Sequence, residues 1–130
     1  MISTHHKLVY YRGVVYIEIM ENLFSYGTLQ QEGVQLENYD RILLGTSDIL
    51  QKFCLEEIEI KDEFVLRKSK KKIHPIIYYT GKKENEIKGK VFKITLDELI
   101  KTDNYEVNDY KRVEVTLKSG MKSWVYIGNK

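Results

Sequence analysis

The sequence predicts an α+β fold, a single domain built round a curved or barrel-like sheet with short helices beside it. Three observations predict it. Short apolar runs with β-branched and aromatic residues recur along the chain, only two short stretches suit a helix, and no segment repeats. At 130 residues the chain is long enough to bury one core without metals or disulfides.

The elements follow in order. Met20-Glu21-Asn22-Leu23-Phe24 reads as a start followed at once by a core strand, so residues 1–19 are read as an N-terminal extension or extra strand and 20–130 as the working domain. Val9, Tyr11, Val15, Ile17 and Ile19 give the extension a partial period of two, with Gly13 as a bend. Leu23 to Tyr26 is a strand. Gln30 to Tyr39 suits a short helix that Gly33 weakens. Arg41 to Leu44 starts another strand, which Gly45-Thr46-Ser47-Asp48 interrupts or bulges before Ile49 to Phe53. Glu56-Glu57-Ile58-Glu59-Ile60 alternates acid with apolar residues, the pattern of a strand with one wet face. Phe64-Val65-Leu66 and Ile73 to Tyr79 flank Arg67-Lys68-Ser69-Lys70-Lys71-Lys72, as in a hairpin with a charged tip. Val91 to Ile94 is a strand, and Thr95-Leu96-Asp97-Glu98 is a capping box that opens a helix running towards Glu106. Lys111 to Leu117 and Lys122 to Ile127 form a hairpin about Lys118-Ser119-Gly120-Met121.

Composition narrows the function classes. Hydrophobic content of 42% with 31% charged residues is that of a globular chain. A net charge of +2 is too small to call for a polyanion partner. Cys54 has no second cysteine to pair with, so a cytoplasmic location is expected, with Cys54 as a buried small hydrophobe. No apolar run reaches the roughly 18 residues of a membrane span, and the N-terminus lacks the pattern of a signal peptide. His5 and His6 are adjacent on a terminus, where imidazoles are usually solvated, so neither metal nor cofactor is expected.

The most informative motif is Tyr26-Gly27-Thr28-Leu29, which closes the apolar run Leu23-Phe24-Ser25-Tyr26. A strand ending in an aromatic, Gly and Thr can turn sharply and converge its N–H groups on a small anion. Later come Gly89-Lys90-Val91-Phe92-Lys93-Ile94, Asp103-Asn104-Tyr105-Glu106, Tyr110-Lys111-Arg112-Val113 and Trp124-Val125-Tyr126-Ile127. In this order and spacing, over about residues 22–128, the motifs resemble the gamma-glutamylcyclotransferase-like family, particularly its small gamma-glutamylamine cyclotransferase and AIG2-like members. The resemblance implies a small mixed β-barrel with flanking helices.

It also implies a reaction. Family enzymes release 5-oxoproline when the α-amine of a γ-glutamyl group attacks its own γ-carbonyl, expelling an amine or amino acid. The resemblance gives Glu106 the role of general base and then acid. It gives Tyr26, Gly27, Thr28 and Leu29 the role of a substrate-binding turn, and sets Tyr110 near the pocket. An ordinary Glu titrates near 4.3 and an α-amine near 8. Burial beside Tyr26, Tyr105 or Tyr110 is therefore expected to raise Glu106 and narrow that gap. The pattern departs from the family's at Thr102, where Leu is frequent, at Val107, where Gly is frequent, and at Gln30-Gln31-Glu32-Gly33, where a basic, glycine-rich run is usual.

Other readings stay open. Glu106 as an exposed helix-end acid and Gly27 as a simple turn describe a non-catalytic module of the same fold, binding a small metabolite or a protein. Asp103 reads first as a turn-orienting residue, Glu98 as a cap, His74 as a strand-end residue with a place in the pocket lining as its alternative, and Tyr16, Trp124 and Tyr126 first as core or edge aromatics. The basic run at 67–72 suggests nucleic acid, but Glu56, Glu57, Glu59, Asp62 and Glu63 oppose a continuous positive groove. The expected partner is a small γ-glutamyl substrate, with no nucleic acid and no membrane.

Overall fold

The computed structural model describes residues 6–59, 73–106 and 108–129. Strands are β1 (His6–Tyr11), β2 (Val14–Ser25), β3 (Gly45–Gln51), β4 (Phe53–Glu59), β5 (Ile73–Tyr79), β6 (Glu86–Thr95), β7 (Tyr110–Thr116) and β8 (Lys122–Gly128). Helices are a 3-10 turn at Thr28–Gln30, α1 (Glu32–Tyr39) and α2 (Leu96–Tyr105). A mixed sheet in the order β3-β6-β2-β8-β7 curves into a half-barrel, and β1 adds to β2 outside that path. Among the described strands only β2 and β8 run parallel; the other pairs are antiparallel. The ribbon β4–β5 lies against β8, so close that a Cβ on Gly128 would sit 2.0 Å from the ring of Tyr78.

The period of two along β2 divides the core between the sheet's two faces. Leu23 packs with Val34, Tyr39, Phe92, Ile94, Leu99 and Tyr105, the layer beneath α1 and α2. Its neighbour Phe24 points the other way, to Leu50, Phe53, Ile77, Val91 and Val125. Each such side chain contributes about 1.5–3 kcal/mol on burial. From Met20 to Ser25 the strand is paired with β6, and Leu23 also faces Trp124 on β8. Before Met20 it is paired with β1 through a hairpin turning at Arg12 and Gly13, both with positive φ. The extension is thus a two-stranded arm continuous with a core strand. Tyr16, read from sequence as a core or edge aromatic, lies exposed on this arm.

Two sequence expectations need correction. No strand begins at Arg41; β3 starts at Gly45, and the Gly45–Asp48 segment is the strand itself. Arg41 is drawn instead to Glu98, with nitrogen–oxygen distances of 2.9 and 2.7 Å, and Leu44 is 91% exposed. Gly45 faces Phe92, whose ring would lie 2.4 Å from an added Cβ, so the strand opens where a side chain is missing. The polar stretch Gln30–Tyr39 divides into the 3-10 turn and α1, which Asp40 ends in the left-handed region. The expected strand at 64–66, the basic run at 67–72 and the departure at Val107 lie outside the described residues. Among the described residues, no helix is long and apolar enough to cross a membrane.

Candidate active site

Glu106 owes its position to α2. The helix starts with the capping box foreseen in the sequence: Glu98 N–H donates to Thr95 Oγ1 at 3.1 Å, and Thr95 N–H donates to Glu98 Oε1 at 2.8 Å. Near its other end Thr102 is fully buried, donating to Glu98 O at 2.8 Å and meeting the Tyr39 hydroxyl. The N–H of Glu106 still bonds to Thr102 O at 3.0 Å, while its own φ and ψ are −71° and 141°. The chain therefore leaves the helix at Glu106 itself, whose side chain forms part of a cavity wall.

The opposite wall is the turn after β2. A Cβ on Gly27 would lie 3.2 Å from Pro75 Cγ, so glycine lets this turn pass close to β5. Thr28 and Leu29 open the 3-10 turn, where the first N–H groups have no acceptor within the helix. Three tyrosine hydroxyls fix the wall. Tyr26 donates to Tyr126 O at 2.5 Å, Tyr110 to Pro75 O at 2.5 Å, and Tyr126 to Asp103 Oδ1 at 2.6 Å. Burial, reinforced by neighbouring acidic groups, pushes all three phenols well above their usual range and keeps them protonated. Tyr39, beneath α2, is pushed up to about 12 mainly by burial.

Tyr26, Gly27, Thr28, Leu29, Glu106 and Tyr110 all line this one cavity, of about 40 Å³. That is room for about three waters by probe volume. A wider groove of about 540 Å³ shares Glu106, Tyr110 and Tyr126 with it and runs out past Arg112, Trp124 and Asn129. Glu106 keeps some surface where the two meet, yet its carboxyl is enclosed enough to lose most of its hydration. Burial first, and the charge of Asp103 second, push that carboxyl up to about 8. Among the described residues its side chain makes no hydrogen bond.

Asp103 has the opposite surroundings. Burial opposes its ionisation, but Arg112 and Tyr126 outweigh that and hold it below the usual carboxylate range. Arg112 grips it with two bonds of 2.7 and 3.0 Å and lies 4.3 Å over the ring of Trp124.

The cavity also includes residues that the sequence read first as structural. His74, near the start of β5 and read as a strand-end residue with pocket lining as the alternative, is 6% exposed and lines the cavity beside Pro75. Tyr126, read as a core aromatic, is both core and wall. Their placement depends on how β5 and β8 meet, and the chain's local pattern holds no signal of it. Cys54 is half-buried and unpaired, and the described residues hold no cluster of three metal-ligating side chains.

Comparison with known proteins bears on this arrangement. Residues 23–130 match the family described as gamma-glutamyl cyclotransferase, AIG2-like. No curated protein matches the chain. An Arabidopsis thaliana protein solved in solution is 26% identical, with a TM-score of 0.64 over 85% of this chain and 70% of its own. Another Arabidopsis thaliana protein is 24% identical, with a TM-score of 0.60 over 84% of this chain; the present chain spans 62% of its length. A structure described as a gamma-glutamyl cyclotransferase shares the fold at 20% identity, with a TM-score of 0.63 over 85% of this chain and 68% of its own.

Proposed function

The chain belongs to the gamma-glutamyl cyclotransferase, AIG2-like family, and from that premise we propose that it releases 5-oxoproline from a γ-glutamyl amine or peptide. The observation that carries this reading is the meeting of Glu106 with the Tyr26–Leu29 turn across one cavity.

The α-carboxylate of the glutamyl group docks on the N–H groups that open the 3-10 turn, which are fixed in place before the substrate arrives. In this reading only the charged end of the glutamyl group, its α-carboxylate and α-amine, enters the small cavity, while the rest of the substrate and the leaving amine occupy the adjoining groove lined by Glu106, Tyr110 and Tyr126. Folded into its near-cyclic shape, the substrate holds nucleophile and electrophile within one molecule. Such preorganisation lowers a barrier by several kcal/mol, within the roughly 7–11 kcal/mol of the best intramolecular cases.

Glu106 then moves the proton. Its affinity near pH 8 is matched to an α-ammonium, so transfer between the two is close to thermoneutral. The freed amine attacks the γ-carbonyl carbon and the new C–N bond closes the ring, and the old C–N bond breaks as Glu106 returns its proton to the departing nitrogen. The second proton that the ring nitrogen sheds follows through the same carboxylate, so the amine leaves as an ammonium, the lactam is neutral and Glu106 ends as it began. No outside nucleophile takes part.

The test is 5-oxoproline release from a panel of γ-glutamyl amines, γ-glutamyl amino acids and ε-(γ-glutamyl)-lysine. Wild-type protein is expected to turn over at least one of them, and Glu106→Gln to lose at least about 10²-fold in kcat with its fold intact. Equal turnover by the variant removes Glu106 from the reaction.

A further inference from the structure

Asp103 and Glu106 leave the same helix end three residues apart, yet they are held in different ways. The Asp103 carboxylate accepts from Arg112 on β7 through two nitrogens and from the Tyr126 hydroxyl on β8. Those strands also supply Tyr110 and Tyr126 to the cavity wall. The pins are themselves backed. Arg112 lies on the Trp124 ring, whose Nε1–H donates to Glu21 Oε2 at 3.1 Å, and Tyr126 O receives the Tyr26 hydroxyl. One acid side chain thus joins the end of α2, the β7–β8 hairpin and, through Tyr126, the turn after β2.

We propose that Asp103 is a positioning residue: pinned by Arg112 and Tyr126, it sets Glu106 against the cavity and stands beside it as a permanent negative charge, making Glu106 a strong enough base to take the substrate's ammonium proton. The inference rests on the reading of Glu106 as proton carrier. Asp103 has no part in the bond changes; it is paired with Arg112 and acts through Glu106.

The other ionisable groups round Glu106 leave this role to Asp103. Tyr26 after β2, Tyr39 on α1, Tyr110 on β7 and Tyr126 on β8 all have raised proton affinity and stay neutral through the working range. Arg112 is a cation held by Asp103. Asp109, just before β7, acts on Tyr110. His74 on β5 lines the wall as well, and an infrared readout of the carboxyl excludes its titration from the signal.

The experiment follows the infrared band of the protonated Glu106 carboxyl, identified by its loss in Glu106→Gln, against pH in the full-length protein. The wild-type midpoint is expected near 8. Asp103→Asn keeps the shape but removes the charge, and is expected to lower the midpoint by about one pH unit. Arg112→Gln leaves Asp103 unneutralised and is expected to raise it. The acid limb of kcat/KM should move with the band in both variants, and Asp103→Glu should restore part of the wild-type profile. A merely structural role loosens the site either way and does not produce shifts of opposite sign. An unmoved midpoint in Asp103→Asn, or shifts of the same sign in both variants, overturns the proposal. Because the two variants read independently, a folding failure of one leaves the sign of the other to decide. Opposite band shifts in a protein that releases no 5-oxoproline uphold the coupling and overturn the reading of function instead.

Discussion

The two ends of α2 each carry a glutamate, and the protein treats them in opposite ways. At the first turn Glu98 has a side chain 12% exposed, yet its carboxylate is met by the Thr95 N–H and by Arg41. Burial works against its charge, but Arg41 and Thr95 outweigh burial and lower its proton affinity. The positive end of the helix dipole favours the same outcome. At the last turn Glu106 faces the negative end of that dipole, has Asp103 for a neighbour, and makes no side-chain hydrogen bond among the described residues. One glutamate stabilises the helix; the other is held in a form the fold would gain by giving up. Burial opposes the charge of both, and the partners decide whether it prevails.

The largest effect that would break the comparison is a pH-dependent gain in stability from Glu106→Gln. The carboxyl titrates near 4.5 when exposed and near 8 in the fold, so between those values the folded state binds more protons than the unfolded one. Its contribution is fully present below about pH 4.5 and is lost as pH rises through 8. The full difference is about 3–5 kcal/mol by linkage. Glutamine carries no such loss. Denaturant unfolding of wild-type protein and variant should give similar midpoints at pH 5 and a clear advantage for Glu106→Gln at pH 9. Parallel curves at both values would mean that Glu106 is as well solvated in the fold as in the unfolded chain.

How far the sequence showed this contrast is itself uneven. The capping box was legible because it is local: Thr95 and Glu98 are within one turn, and their bonds need no distant partner. The final hairpin was legible through Gly120, whose φ of +93° suits glycine. The motif order gathered six residues that line one cavity. Arg41 was misread as a strand because its partner Glu98 is 57 positions away, and side-chain pairing outweighs the β-like look of Arg41-Ile42-Leu43-Leu44. Tyr126 is the core aromatic and His74 the strand-end residue that the sequence suggested, but their second role as cavity wall was not legible from local pattern. Each belongs to a strand whose pattern reveals which residues face inward, but not which other strand's residues they meet.

A middle-sized effect sharpens the comparison from the other end of α2. Thr95→Ala removes the hydroxyl that accepts from Glu98 N–H and breaks the reciprocal box, at a cost of about 1 kcal/mol. Since the loss lies at the first turn, 5-oxoproline release at saturating substrate should stay within about twofold of wild type at temperatures where both are folded. Thermal melting and turnover measured on one preparation check it. A turnover loss well beyond the stability loss would show that the two ends of the helix are mechanically joined.

The smallest effect concerns the arm. Met20 pairs with Thr95, so the arm's last residue lies one position from the capped end of α2. Beyond that point, among the described residues, β1 pairs with β2 alone, and Leu8, Tyr10, Tyr16 and Ile17 remain 59%, 75%, 52% and 55% exposed. A two-stranded ribbon without a covered face contributes little to a core. A chain beginning at Met20 therefore gives up a Lys7–Glu18 pair at 3.5 Å, exposed on both sides and worth about 0–1 kcal/mol, and almost no buried apolar surface. Its melting temperature is expected within about 4 °C of the full chain, with 5-oxoproline release unchanged. A larger fall, additive with Thr95→Ala, would place the arm among the supports of α2's first turn. A fall that shrinks when Thr95 is already replaced would mean that arm and cap act on the same strand end, a coupling the pairing of Met20 with Thr95 makes physically available.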